Sequence, residues 1–218
     1  MQLVLDVSNN DTIDHKTFQS SGAVALIAKA TEGTSFKDTT LTAHRVVAGE
    51  AHKPFGSYLF LHPNSKGSEA AFYLNYARPR VGDLQPIIDA EVTNLGTAEL
   101  AQRTQSCARA LEAEGYRPLL YASAGIWTEM IKAEPKLKRL RVWEAQYPGR
   151  FTRWFPRLAA LRIALAKGVQ VVMWQWTDSY AVGGRRYDAS KLLVDVKTLI
   201  IPKRDAARPA AGGGVRSL

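Results

Sequence analysis

Short apolar runs alternate with amphipathic stretches along most of the chain. Seven of these runs are rich in β-branched residues and bounded by turn residues, a pattern typical of buried strands. The predicted strands are Leu3 to Val7, Val24 to Ala30, Pro54 to Phe60, Pro86 to Ala90, Arg117 to Tyr121, Arg141 to Gln146 and Val169 to Trp176. The stretches between them predict helices at residues 14–21, 38–51, 67–77, 97–114, 123–132 and 156–167, with a final helix from Ser190 to about Leu199.

The alternation of strands and helices predicts the fold class. Strands that are continuously apolar and separated by helices indicate a mostly parallel sheet covered by helices. Seven or eight such units favour a closed sheet over an open one. We therefore predict a single-domain α/β fold, a (β/α) barrel of the TIM-barrel-like type, over residues 1–202.

The ends of the predicted strands carry the candidate chemistry, because sites in such barrels lie at the carboxyl ends of the strands. Acidic residues follow or end four strands, and amide or aromatic residues end the others. The acids are Asp6, Glu32, the pair Asp89 and Glu91, and Asp188; the others are Tyr58, Tyr121, Gln146, Tyr147, Gln175 and Trp176.

The pair in "QPIIDAEVT" is the most specific of these signals. Residues i and i+2 of a strand point to the same face, so Asp89 and Glu91 would lie roughly 7 Å apart between Cα atoms. Like charges at that distance raise each other's pKa. A protonated carboxyl beside a charged one, with aromatic rings nearby, is what cleavage of a glycosidic bond requires.

Other kinds of chemistry have less support in the sequence. The four histidines show no ligand spacing, and neither a phosphate-binding glycine loop nor a G-x-S-x-G nucleophile motif occurs. We predict an enzyme that needs no metal and no cofactor. The single cysteine, Cys107, cannot form an internal disulfide and fits a buried apolar stripe on the helix at residues 97–114.

The charge of the chain is unevenly distributed. The formal net charge is +9, and residues 132–162 hold nine Lys or Arg against Glu134 and Glu144, a local net charge of +7. Residues 203–218 hold four Lys or Arg against Asp205, a net charge of +3, and their composition predicts a flexible tail. These segments predict an anionic partner, for which we favour a cell envelope over nucleic acid. We expect the protein to be a monomer.

The ends of the chain bear on its location. The first residues, MQLVLDVSNN, lack the basic and apolar regions of a cleavable signal, and no apolar run is long enough to span a membrane. We therefore expect synthesis in a host cytoplasm.

An ordered set of short motifs extends across most of the chain. The pieces, from about residue 3 to residue 200, are "DVSNN", "IAKATEGTSFKD", "GSYLFLHP", "IIDAEV", "LYAS", "WEAQYP", "WQWTD" and "YDAS". In this order they make the chain resemble the glycoside hydrolase family 25 lysozymes, the Chalaropsis-type muramidases. The absence of a signal and of a wall-binding module would suit a phage endolysin released to the cell wall.

The resemblance implies an irregular β/α barrel that hydrolyses the β-1,4 bond between N-acetylmuramic acid and N-acetylglucosamine in peptidoglycan. It implies that Glu91 is the general acid/base and that Asp89 stabilises the transition state or orients the substrate's N-acetyl group. Asp6 and Asp188 would complete the acidic cluster. By the same resemblance the sugar subsites are lined by Glu32, Tyr58, Tyr121, Gln146, Tyr147, Gln175 and Trp176.

The chain departs from the family pattern at two places. Asp11 and Thr12 stand where the family has Gln-Gly, and Leu59 stands where it has a histidine on the third strand. Two other functions remain open from sequence: a chitinase-like barrel glycosidase and a glycan-binding module without activity. The chitinase D-x-x-D-x-D-x-E pattern is absent, since Ile87 and Ile88 precede Asp89.

Overall fold

A computed structural model describes residues 1–92, 94–147 and 168–203. The strands are β1 (Leu3–Val7), β2 (Ala25–Glu32), β3 (Phe36–Lys37), β4 (Phe55–Phe60), β5 (Ile87–Asp89), β6 (Leu119–Ser123), β7 (Arg141–Ala145), β8 (Gln170–Val182) and β9 (Arg185–Leu192). The helices are α1 (His15–Ser20), α2 (Leu41–Glu50), α3 (Glu69–Ala77), α4 (Thr97–Ala113) and α5 (Ala124–Ala133), with 3-10 turns at Pro135–Arg139 and Val196–Leu199.

The strands form a closed, irregular barrel, which confirms the predicted fold class. Neighbours around the ring are β1, β2, β4, β5, β6, β7, β8 and β9, and β1 closes the ring by pairing with both β2 and β9. The steps from β1 to β8 are parallel, whereas β9 runs antiparallel to β8 and to β1. The two-residue strand β3 lies outside the ring and pairs with β2.

Alternation along each strand divides the core into two layers. Val4, Ile27 and Ile87 belong to an inner cluster that fills the barrel. Their neighbours Leu5, Leu26 and Ile88 belong to an outer cluster, which packs against the helices. Both faces of the strands from β1 to β7 are largely buried, β3 excepted, so these strands are apolar at most positions, as the sequence indicates.

Local sequence explains where the helices begin and end. The side chains of Asp14, Ser68 and Ser123 accept hydrogen bonds from the first turns of α1, α3 and α5. Gly115 follows α4 with a positive φ of 86°, a conformation that glycine adopts without strain. No helix in the described ranges is long and apolar enough to cross a membrane.

The predicted helix from Ser190 to Leu199 is wrong. Residues up to Leu192 belong to β9, and only Val196–Leu199 form a 3-10 turn. These residues form a strand because Ser190 and Leu192 face the barrel interior while Ala189 packs outward, the alternation of a strand. Pairing of β9 with β1, which closes the ring, also stabilises this conformation. The predicted helix at 156–167, residues 148–162 of the basic segment, and the tail after Lys203 lie outside the described residues.

The segment after β9 closes the barrel at the amino ends of the parallel strands. Leu84 and Leu199 are buried in the inner cluster, and Leu84 bridges to Ile200. The Gln85 amide accepts from the backbone N–H of Arg117 at 2.8 Å and donates to the carbonyl of Ile200 at 3.4 Å. Apolar side chains and paired polar groups therefore seal this end and leave the carboxyl end open.

Candidate active site

A cavity of about 200 Å³ opens at the carboxyl ends of the parallel strands. It brings together all four predicted catalytic acids, Asp6, Asp89, Glu91 and Asp188, with the predicted subsite residues Tyr58 and Tyr121. The remaining lining residues are Ser8, Asn9, Asn10, Lys29, Phe60 and Trp143.

Strand register accounts for the meeting of the acids. Asp6 on β1 lies directly opposite Asp188 on β9. Asp89 ends β5 and is in register with Phe60 on β4 and Tyr121 on β6. Its carbonyl accepts from the backbone N–H of Leu61 at 3.0 Å, so neighbouring strands fix the position of this acid.

Burial and mutual repulsion raise the pKa of each acid in the cavity. Burial is the largest cause for Asp89, followed by the charge of Glu91, while Lys29 acts in the opposite direction on its pKa. The pKa of Glu91 is raised first by burial and then by Asp188, and a hydrogen bond with Tyr121 offsets part of the rise.

The second pair of acids behaves in the same way. Burial and then the charge of Asp188 raise the pKa of Asp6 well above its ordinary value. Burial, followed by Asp11 and Asp178, raises the pKa of Asp188 to about 6. Burial and mutual repulsion thus disfavour the ionised form of each of the four carboxyls.

Lys29 is the cation among the cavity-lining residues that the structure describes. Its Nζ is 2.7 Å from Oε2 of Glu32, so it already has one carboxylate partner. Oδ1 of Asp89 is buried and has no hydrogen-bond partner. The described cavity lining thus has more acidic than basic side chains, which suits a substrate that becomes cationic as it reacts.

Gln175 connects the acids to two tyrosines. Its Nε2 donates to Oδ1 and Oδ2 of Asp6 at 3.2 and 3.3 Å and to Oδ2 of Asp188 at 3.4 Å. Its Oε1 accepts from the hydroxyls of Tyr121 at 2.7 Å and Tyr147 at 2.9 Å. With only 1% of its surface exposed, Gln175 lies beneath the cavity and not in its lining.

Besides Gln175, four predicted subsite residues lie outside the cavity lining. Glu32 pairs with Lys29 and is 4.0 Å from Nε2 of His62. The backbone carbonyl of Gln146 accepts from the Trp174 indole at 2.7 Å, and the Trp176 ring packs on Lys191 and Tyr180. Tyr147 is half exposed and reaches the site through Gln175. Their roles in binding substrate stay predictions.

Trp143, Lys29 and Phe60 line the cavity but were not predicted from sequence. The Trp143 ring lies 4.4 Å from that of Tyr121, and its Nε1 donates to Ser190 at 2.9 Å. The alternation of side chains along a strand could have identified these residues, because positions i and i+2 face the same side. Ile27, Tyr58 and Ala145 face inward, and each stands two positions from one of the three, in the order Lys29, Phe60 and Trp143.

The two departures from the family pattern also have a place in the structure. Leu59 is fully buried in the outer cluster, so it points away from the cavity that Tyr58 and Phe60 line. Asp11 accepts from the backbone N–H of Ser8 at 2.8 Å and from its hydroxyl at 3.2 Å. This carboxyl therefore shapes the loop that carries Ser8, Asn9 and Asn10 to the cavity.

A barrel with a cluster of carboxyls at its open end is typical of glycoside hydrolases. Residues 5–185 match the sequence model of glycosyl hydrolases family 25. This match covers most of the chain, so the protein belongs to that family.

Comparison with individual proteins agrees with this assignment. An autolytic lysozyme of Clostridium acetobutylicum is 27% identical over 142 residues, which cover 64% of this chain and 43% of that protein. The match thus spans less than half of this relative's length. A bacterial lysozyme from Streptomyces coelicolor has the same fold, with a TM-score of 0.75 at 21% identity over 91% of this chain and 94% of that one. A family 25 glycosyl hydrolase from Bacillus anthracis gives 0.74 at 20% identity, with coverages of 89% and 90%.

Proposed function

We propose that the protein is an N-acetylmuramidase that cleaves the β-1,4 bond between N-acetylmuramic acid and N-acetylglucosamine in peptidoglycan. The observation that carries the proposal is the meeting of Asp6, Asp89, Glu91 and Asp188 in one cavity with raised pKa values. Membership of family 25 and the lysozymes among the similar proteins support it.

Glu91 is the general acid/base in this proposal. Its carboxyl is only partly buried and lines the cavity, so a substrate can reach it, and its raised pKa favours the protonated form. Glu91 gives its proton to the glycosidic oxygen as that oxygen's bond to the anomeric carbon breaks. Water then adds to the anomeric carbon and returns a proton to Glu91.

Asp89 lies deeper in the cavity than Glu91, and in this proposal it interacts with the positive charge that develops on the sugar. It is 6% exposed, and its Oδ1 has no hydrogen-bond partner, so this oxygen is free to face the substrate. In the proposal Asp89 stabilises the cationic sugar or orients its N-acetyl group. Asp6 and Asp188 complete the cluster from the opposite side, where they are held by Gln175.

Aromatic side chains give the cavity its affinity for sugar. Tyr58, Phe60, Tyr121 and Trp143 line it on neighbouring strands. Their rings can pack against the apolar C–H faces of the pyranose, while Asn9 and Asn10 offer hydrogen bonds on the β1 side. Tyr147, Trp176, Gln146 and Glu32 would contact sugars beyond this cavity, on the longer glycan strand.

The test is digestion of purified peptidoglycan by wild type and by Glu91→Gln. New reducing ends are reduced with borohydride and identified by mass spectrometry. We expect reduced muramic acid ends from the wild type and a loss of about 100- to 10,000-fold in the variant, because general acid catalysis contributes that much. Glu129→Gln, at an exposed residue of α5, is the matched control and should retain activity.

Other products would contradict the proposal in distinguishable ways. Reduced glucosamine ends would identify a glucosaminidase. Activity on chitin without activity on peptidoglycan would identify a chitinase-like enzyme. The absence of new ends from either substrate, with retained binding to the glycan, would identify a non-catalytic binding module.

The partner and location of the enzyme are part of the proposal. We expect the basic segment 132–162 and the tail 203–218 to hold the enzyme on an anionic envelope, and release from a host cytoplasm to act in cell lysis. Sedimentation with cell walls should weaken as salt rises to about 0.5 M, where electrostatic attraction is screened. Binding that is the same at low and high salt would contradict this role.

A further inference from the structure

We propose that a second cavity, beside the catalytic one, binds the ammonium group of a peptidoglycan stem peptide through the carboxylate of Glu69. This second cavity has a volume of about 510 Å³ and is larger than the catalytic cavity. It lies between the loop after β4, the start of α3 and the N-terminal part of α4. The proposal rests on the function proposed above, because it names a further contact with the same substrate.

Glu69 is a buried acid with one carboxylate oxygen left for a ligand. It is 5% exposed, and it lines the second cavity. Its Oε1 accepts from the backbone N–H of His62 at 2.9 Å and from the hydroxyl of Ser65 at 2.6 Å. Among the described residues, its Oε2 forms no hydrogen bond, and no cation forms an ion pair with it. A buried carboxylate without a charged partner is costly, so a cationic ligand that meets this oxygen is favoured.

The other charged groups that line the second cavity do not neutralise Glu69. Arg103 donates to the carbonyl of His62 at 2.9 Å and lies 3.0 Å from Oε1 of Glu99, so its guanidinium already has partners. Two glutamates against one arginine leave the described lining with one net negative charge. This balance favours a cation over an anion in the second cavity.

An ammonium group fits this lining better than a metal ion. No group of three or more metal-binding side chains occurs in the part of the chain that the structure describes. Burial, followed by the charge of Glu69, raises the pKa of Cys107 to about 12, so this thiol is a neutral part of the wall. An ammonium group has three hydrogen-bond donors, and the second cavity also offers it the hydroxyl of Ser106 and the amide of Gln102.

The second cavity lies on the same face of the barrel as the catalytic cavity. Its loop and α4 follow the carboxyl ends of β4 and β5. Nε2 of His62 in this loop is 4.0 Å from Oε1 of Glu32, whose Oε2 is 2.7 Å from Nζ of Lys29 in the catalytic lining. A Cβ added to Gly33 would lie 2.7 Å from Oγ of Ser65, so the loop packs directly on the chain after β2. The two cavities are therefore neighbours, separated by a short row of side chains.

Peptidoglycan carries the required chemistry beside the bond that is cleaved. Its muramic acid residues bear stem peptides with a diamino acid, whose side-chain amine is charged at neutral pH unless it is cross-linked. A strand held in the catalytic cavity would extend such a peptide over the loop, where the ammonium group donates to Oε2 of Glu69 in a charge-assisted hydrogen bond. The enzyme would thereby favour strands that are not cross-linked at this position.

The test measures binding of a free stem peptide and needs no turnover. The probes are Nα-acetyl-L-Ala-γ-D-Glu-L-Lys with a free side-chain amine and the same peptide with that amine acetylated. In calorimetric titrations the wild type should bind the acetylated probe about tenfold more weakly, because it cannot form the charge-assisted bond. Glu69→Gln keeps an oxygen that accepts from His62 and Ser65 but lacks the charge, so it should bind both probes equally. Glu129→Gln, exposed on α5, is the control and should keep the wild-type preference.

A second pair of variants applies if Glu69→Gln does not fold. Ser106 is an exposed residue of α4 that lines the second cavity, so Ser106→Trp should fill the cavity and remove the preference for the free amine. Ala113→Trp, at an exposed position of the same helix outside the lining, is the matched control and should bind both probes as the wild type does.

Three results would overturn the proposal. They are equal affinity of the wild type for the two probes, a preference for the free amine that persists in Glu69→Gln, and no binding of either probe. Nα-acetyllysine carries the same amine without the peptide and should bind more weakly than the free-amine probe; equal binding would contradict the assignment to a stem peptide. Muramidase activity is measured separately, so its absence would count against the proposed function and not against the ammonium site.

Discussion

The two ends of the barrel treat polar side chains in opposite ways. At the amino ends of the parallel strands, Asp83 pairs with Arg45, and Gln85 uses both ends of its amide. At the carboxyl ends, Asp89 keeps a buried oxygen without a partner, and Asp6 and Asp188 face each other across paired strands. At the amino end, polar groups are paired around the buried side chains of Leu84 and Leu199, which we call the plug. At the carboxyl end, several acidic side chains lie close together in a cavity.

This difference indicates that one end of the barrel contributes to stability and the other carries the candidate active site. The plugged end contributes stability through Leu84 and Leu199, which lie in the inner cluster. The open end costs stability, because each of its acids is buried near another. Substitutions at the plugged end should therefore lower stability and leave activity unchanged. Substitutions of the acids at the open end should raise stability and lower activity.

The largest effect on stability is expected at the plug. Leu199→Ala should lower the free energy of unfolding by about 2–5 kcal/mol, since Leu199 is fully buried and its loss leaves a cavity. Urea unfolding at pH 7 measures this change, and kcat below the transition should stay close to that of the wild type. Val196→Ala, at a partly buried residue of the same 3-10 turn, is a control with a smaller expected loss. A large fall in kcat of the folded Leu199→Ala protein would mean that the two ends are not separate.

An intermediate effect of opposite sign is expected at the cavity. Asp89→Asn should raise the free energy of unfolding at pH 7 by about 0.5–2 kcal/mol, because it removes a carboxyl whose ionised form is disfavoured by burial and by the charge of Glu91. Activity on peptidoglycan should fall in the same protein. Loss of stability together with loss of activity would indicate that Asp89 supports the fold and does not strain it.

The smallest effect should depend on pH. Burial raises the pKa of Asp188 to about 6 from an ordinary value of 3.8, so ionising it costs more in the folded than in the unfolded chain. The wild type should therefore lose stability relative to Asp188→Asn as pH rises from 3.8 through about 6, and the two should converge below that range. The difference in Tm between the two proteins across this range measures the effect. Glu129→Gln, at an exposed residue of α5 away from the cavity, is the control, and a difference that does not change with pH would refute the assignment.

Sequence patterns predicted most of the fold. Strand positions came from apolar runs that are buried on both faces, and the closed barrel followed from their number. The ninth strand was missed because Ser190 to Leu192 take their conformation from pairing with β1, some 190 residues earlier in the chain. Such pairing has no local signature.

The candidate site was predictable where it depends on strand ends and less so where it depends on packing. Asp6, Asp89, Glu91 and Asp188 were found because barrel sites lie at those ends. Trp143 was missed because the residues at the end of β7, Gln146 and Tyr147, were chosen over the inward-facing position. The hydrogen bonds of Gln175 join residues up to 169 positions apart, so no local pattern could reveal them.

The antiparallel direction of β9 also decides where the chain could be joined to another protein. β1 begins, and β9 ends, at the plugged end, where the backbone N–H of Leu192 bonds the carbonyl of Gln2 and that of Gly82 bonds the carbonyl of Ile201. A partner domain fused before residue 1 or after residue 203 would therefore start on the side away from the acids. Such a fusion could tether the enzyme to a surface while the mouth remains turned outward, free to take in a polymer strand.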